Sequence, residues 1–194
     1  MGNHIYYLPG ARGELHTGLG QGLIERGVTV SGRATVGAFR SLAFDDQVAL
    51  VAADLQKPQW WNTEAQVVTN SYGSYLFLNA QLGMPPYPGR VLMLSPILGA
   101  FENAVTGQAF VPPYADRLMN AVRANSFPTP PQLQIHTGSE DWQSPPSAAL
   151  AFGELTGASL TIAPGRGHML GKDYVGPVLD AWLAKRLGTK DAAT

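Results

Sequence analysis

The chain has 194 residues, 45% hydrophobic and 14% charged, a composition that suits one globular domain and excludes a disordered tail. Its formal net charge is −1 and its Lys and Arg are scattered, which leaves no electrostatic footprint for nucleic acid or an anionic membrane. Cysteine is absent, so disulfides, thiolate metal sites and cysteine nucleophiles are excluded.

No basic region followed by an apolar run opens the chain, and the longest apolar stretch, VLMLSPILGAF, is short and broken by Ser95 and Pro96. A cytoplasmic protein without a membrane partner is expected. HIYYLPG reads as a strand and a turn, TGLGQGLIERG as a helix ending at Gly27, and VTVSG as a second strand. Phe44, Val48, Val51 and Leu55 form one apolar stripe, which predicts a helix over 45–56 with Asp45 and Asp46 at its start. Next come a strand over 65–69, a helix over 72–82 and a strand over 89–95. The stretch 96–130 is irregular and is the candidate for a small lid. A strand over 132–137, a helix over 146–155, a strand over 159–163 and a helix from about 174 to 186 complete the chain. This alternation predicts an α/β fold: a mainly parallel central sheet of about six strands with helices on both faces, in a single domain over 1–194. Trp60-Trp61 is open to two readings, core or interface.

Between the 65–69 strand and the helix after it stands Thr69-Asn70-Ser71-Tyr72-Gly73, with no loop residues to spare. In an open parallel sheet, ligands bind beyond the carboxyl ends of the strands, and Ser71 sits at such an end. The pentapeptide resembles the G-x-S-x-G nucleophile elbow of the α/β-hydrolase superfamily. There a strained turn lifts the serine hydroxyl clear of the sheet, and strand and helix nearly touch, so the residues two before and two after the serine are small. Gly73 meets that rule, whereas Thr69 is bulkier than the usual Gly or Ala. The competing reading is a serine that caps a helix. Ser74, about a turn into the helix, is the alternative nucleophile.

A serine needs a base to take its proton and a third group to orient that base. The resemblance implies the order nucleophile, acid, histidine, each after a strand. LQIHTGSEDWQSP carries Asp141 three residues beyond Gly138, similar to the acid loop of these hydrolases. LTIAPGRGHML carries His168 after a glycine-rich turn, similar to their histidine loop. The implied triad is Ser71, Asp141 and His168. Glu102 is the alternative acid, because some superfamily members place the acid after the preceding strand; Glu140 adjoins Asp141. His4 and His136 fall on strands, and His16 lies too early to match the family's base but can line a pocket.

The resemblance also implies two backbone N–H donors for the developing oxyanion. One is Tyr72, after the nucleophile; the other is Ala11, because Pro9-Gly10 stands where many members have His-Gly. Arg12, Phe101, Phe110 and Tyr114 join His16 as candidate pocket residues. Gly18, Gly20 and Gly22 are not spaced as a dinucleotide fingerprint, no phosphate-loop motif exists, and no His or acidic cluster has metal-ligand spacing, so neither cofactor nor metal is expected. The expected activity is that of a small serine hydrolase acting on a small-molecule ester or thioester. The competing class is a binding or protein-interaction module built on the same scaffold.

Overall fold

A computed structural model describes residues 3–185. In chain order the first half comprises β1 (His4–Leu8), α1 (Leu19–Ile24), β2 (Thr29–Gly32), α2 (Gly37–Ser41), α3 (Phe44–Leu55), β3 (Gln66–Asn70) and α4 (Tyr72–Gln81). The second half comprises β4 (Arg90–Leu94), β5 (Phe101–Glu102), β6 (Ala109–Phe110), α5 (Arg117–Arg123), β7 (Gln132–Gly138), α6 (Pro146–Thr156), β8 (Ser159–Ala163) and α7 (Lys172–Ala184). Six strands form one sheet in the order β2-β1-β3-β4-β7-β8, every neighbouring pair parallel.

The central strands β1, β3 and β4 are buried on both sides because helices cover both faces. Successive side chains of a strand point to opposite faces. Tyr6 and Leu8 of β1 therefore join Val67, Val91, Leu76 and Phe77 on the side of α3 and α4. Ile5 and Tyr7 join Val68, Leu92, Leu179 and Trp182 on the side of α1 and α7. Helix α4 is buried along almost its whole length, and its polar Ser74, Asn79 and Gln81 are hydrogen-bonded within the interior.

The chain leaves β1 toward one face and β3 toward the other, and these two strands are neighbours. Their carboxyl ends thus flank the crevice where the strand order reverses, the general place for a ligand in an open α/β sheet. Asp54 ties this region together. It accepts hydrogen bonds from Tyr6 (2.9 Å), from Arg33 just after β2 (2.6 and 3.1 Å) and from Lys57 (2.6 Å).

Several boundaries differ from the sequence expectation. Helix α1 ends at Ile24, two turn residues and Gly27 (φ 74°) following it, because Gly27 supplies a left-handed exit. The stretch 96–130 is less irregular than expected. It holds a two-stranded antiparallel hairpin, β5–β6, and helix α5. The Asn103 carboxamide accepts from the Val105 and Thr106 N–H groups and builds the hairpin turn. Helix α2 also escaped the periodicity, being five residues long and without a buried face. The expected last helix reaches 186, which lies outside the described residues. Trp60 is buried against Tyr6 and His4, and Trp61 packs on Tyr87, so the pair serves the core.

Candidate active site

Strand β3 runs directly into α4 through Ser71, whose backbone adopts φ 50° and ψ −120°. Few non-glycine residues adopt this conformation, and it persists where surrounding bonds over-determine it. Here the Ser71 N–H donates to Leu94 O (3.0 Å), and Ser71 O accepts from Ser74, Tyr75 and Ile97 N–H groups (3.0, 3.3 and 3.3 Å). The turn is this tight because α4 lies on the end of β1. A Cβ at Gly73 would meet Leu8 O at 2.1 Å and Pro9 O at 2.5 Å. Thr69 fits despite its bulk, since its hydroxyl lies 2.7 Å from the Ser74 hydroxyl in the buried interior.

The Ser71 Oγ lies 2.8 Å from His168 Nε2, and His168 Nδ1 lies 3.0 Å from each carboxylate oxygen of Asp141. A carboxylate at Nδ1 places the imidazole proton there, which leaves the Nε2 lone pair to accept the serine hydroxyl. Asp141 is 1% exposed. Burial alone raises a carboxyl pKa, but the His168 hydrogen bond and charge and the Ser144 N–H outweigh it and hold Asp141 below its ordinary range. The Gln143 and Ser144 N–H groups donate to Oδ1 at 3.0 and 2.8 Å. Acid and histidine loops touch through backbone: Glu140 N–H donates to Arg166 O (2.8 Å), and a Cβ at Gly138 would lie 2.0 Å from that oxygen.

The alternatives separate from this cluster. Glu102 is exposed on β5, and neither its carboxylate nor that of Glu140 bonds a described group. Ser74 is sealed against Thr69. His4 bonds Ser31 (2.8 Å), and His136 sits between Tyr174 (2.8 Å) and Gln134 (2.6 Å).

Ala11 lies in a β-turn closed by Gly13 N–H to Gly10 O (2.9 Å), a geometry that gives Ala11 N–H no acceptor inside the turn. Tyr72 is the first residue of α4, so its N–H has no intrahelical acceptor either. Gly10 packs against the serine. A Cβ there would lie 3.2 Å from Ser71 Cβ and 3.0 Å from Asn70 Nδ2. The Asn70 carboxamide is oriented by the Tyr7 hydroxyl, which donates to Oδ1 at 2.9 Å and which burial keeps protonated well above the ordinary tyrosine range.

The pocket candidates divide. Phe101 packs on Phe110 (ring centroids 5.4 Å apart) and on Trp142 (5.5 Å), the residue after Asp141. Tyr114, at a left-handed backbone position (φ 58°), contacts the start of α3: its hydroxyl donates to Asp45 (2.8 Å) and its ring packs toward Phe44. Arg12 and His16 are exposed and form no ion pair with a described residue. A cavity of about 170 Å³ opens between Leu98, Met119, Gln143 and Pro145, beside the acid loop; Ser71 and His168 do not line it. Among the described residues no His, Asp or Glu cluster suits a metal ion, and no helix is long and apolar enough to cross a membrane. Sequence reading missed Trp142, Ser95 and Thr35. Ser95 closes β4 at φ 46° with its hydroxyl buried beside Asp141, and neither it nor Thr35 belongs to a recognisable local motif.

No protein-family model and no curated protein matches the chain by sequence. Solved structures do. The chain is similar to Est1E from Butyrivibrio proteoclasticus, at 15% identity and a TM-score of 0.66, over 96% of this chain and 89% of Est1E. It is similar to the ydeN gene product from B. subtilis, at 12% identity and a TM-score of 0.64, over 96% of this chain and 100% of that one. The monoacylglycerol lipase of Paleococcus ferrophilus aligns at 11% identity and a TM-score of 0.64, over 94% of each chain.

Proposed function

We propose that this chain, which has the α/β-hydrolase fold, is a serine hydrolase that cleaves a carboxylic ester or thioester through an acyl-enzyme. The observation that carries the reading is the continuous hydrogen-bonded line Asp141–His168–Ser71, ending on a serine in a strained turn. The name of one structural neighbour, the monoacylglycerol lipase, supports the reaction class.

In this reading Ser71 Oγ attacks the substrate carbonyl while its proton passes to His168 Nε2. The carbonyl π pair moves onto oxygen, where the Ala11 and Tyr72 N–H groups stabilise the charge; each such donor is worth about 10²–10³ in rate. Collapse expels the alcohol or thiol, which takes the proton from His168. Water then attacks the acyl-enzyme, giving its proton to His168, and the released Ser71 recovers it as the acid departs. Asp141 holds the imidazole tautomer and offsets its transient positive charge. No cofactor enters these steps. The β5–β6 hairpin and its Phe101–Phe110–Trp142 cluster form the proposed lid beside the acid loop.

The test is a fluorophosphonate probe read by intact mass, together with turnover of p-nitrophenyl esters and matching thioesters. One adduct on the parent and on Ser74→Ala, absent from Ser71→Ala, is the expected result. A folded parent that takes no adduct and turns over no ester would make ligand or partner binding the better reading. An adduct retained by Ser71→Ala but lost from Ser74→Ala would move the nucleophile.

A further inference from the structure

Thr35 lies three residues beyond β2, 2% exposed, and no step above uses it. It grips both ends of the Gly10–Gly13 turn. Its hydroxyl donates to Gly10 O and accepts from Gly13 N–H (2.9 Å), and its own N–H donates to Gly13 O (2.9 Å). We infer, on the serine-hydrolase reading above, that Thr35 is a positioning residue that holds the Ala11 N–H in register with Ser71.

The turn needs such a hold. Its third residue, Arg12, is left-handed (φ 62°), a conformation disfavoured for any residue but glycine, so local preference does not maintain this geometry. On one side Gly10 faces Asn70 and Ser71 closely enough that an added Cβ would come within 3.0 Å of Asn70 Nδ2 and 3.2 Å of Ser71 Cβ, which limits inward movement. Outward movement is opposed by Thr35. Thr35 is itself tethered, because Arg33, two residues earlier, is bound by two hydrogen bonds to Asp54 of α3. The clip thus runs from α3 through Arg33 and Thr35 to the donor loop.

Thr35→Val keeps the branched shape and removes the O–H, whereas Thr35→Ser keeps the O–H. The readouts are kcat and KM for p-nitrophenyl acetate, affinity for a phenylboronic acid that forms a tetrahedral adduct on serine, and Tm. Misplacing a reacting group by about 1 Å costs on the order of 10²-fold, so Thr35→Val is expected to lower kcat about 10- to 100-fold. KM should stay within about twofold, boronate affinity should fall in parallel with kcat, and Thr35→Ser should stay within about threefold of the parent in kcat. Thr35→Ala carries the same expectation as Thr35→Val and replaces it should that variant not fold. An active parent whose kcat survives loss of the hydroxyl overturns the inference alone, as does a loss that lies wholly in KM or that Thr35→Ser shares equally. A parent without Ser71-dependent turnover overturns the hydrolase reading, and the inference with it.

Discussion

The Thr69 and Ser74 hydroxyls lie 2.7 Å apart, both fully buried beneath the turn that carries Ser71. This pair explains how a residue larger than glycine or alanine fits two positions before the serine. The extra atoms of Thr69 bring a hydroxyl that satisfies the Ser74 hydroxyl one turn into α4.

Thr69→Val therefore leaves Ser74 buried without this partner at nearly constant volume. The cost of such an unsatisfied hydroxyl is about 1–3 kcal/mol. Adding Ser74→Ala should recover part of the loss, because no orphaned group remains. Urea denaturation of the two single variants and the double variant measures this coupling. Additive losses would mean that the two hydroxyls stabilise the turn independently.

Gly138 couples the acid and histidine loops. A Cβ there would press on Arg166 O at 2.0 Å and Gly167 O at 2.6 Å, both backbone atoms that no side-chain rotation can move aside. Gly138→Ala should displace His168 relative to Asp141 and lower kcat on the order of 10²-fold. It should also lower Tm, whereas Gly165→Ala, in open space on the histidine loop though at a left-handed φ, should change kcat little. Equal kcat losses in the two variants would make loop strain, not the Gly138 contact, the cause.

His136 predicts an acid limb of stability. Burial, assisted by the Lys185 charge, lowers its pKa from 6.5 to about 4. Below about 6.5 the unfolded chain binds a proton that the folded chain refuses until about 4. Stability is therefore full above 6.5 and falls as pH drops toward 4, by about 2 kcal/mol between pH 7.5 and pH 5. The lowered carboxyl pKa values of Asp54 and Asp141 act in a lower window, below the ordinary carboxylate value of 3.8. Urea unfolding at both pH values should show a smaller difference in His136→Gln than in the parent. An unchanged difference would assign the acid limb elsewhere.

The alternation of strands and helices was legible because it rests on neighbours within a few residues: the stripe through Phe44, Val48, Val51 and Leu55, and the glycine at 73 after a strand. The order of Ser71, Asp141 and His168 along the chain was readable for the same reason, each standing just past an apolar strand. Selection among the alternatives was not local. Ser71 and His168 are 97 residues apart in sequence, and Asp141 and His168 are 27 apart. Glu102 and Asp141 were both plausible acids by position, and the packing of β7 beside β4 buries one while β5 leaves the other exposed. Tyr114 was a pocket candidate because it is aromatic and sits in an irregular stretch, and its bond to Asp45, 69 residues away, could not be read locally. Thr35 carried no signal at all, since its role depends on β1 and β2 lying side by side in register. Periodicity and turn chemistry act over a few residues and can be read along the chain. Hydrogen-bond partners and burial arise when distant segments meet, so they became visible once the six strands were laid in order.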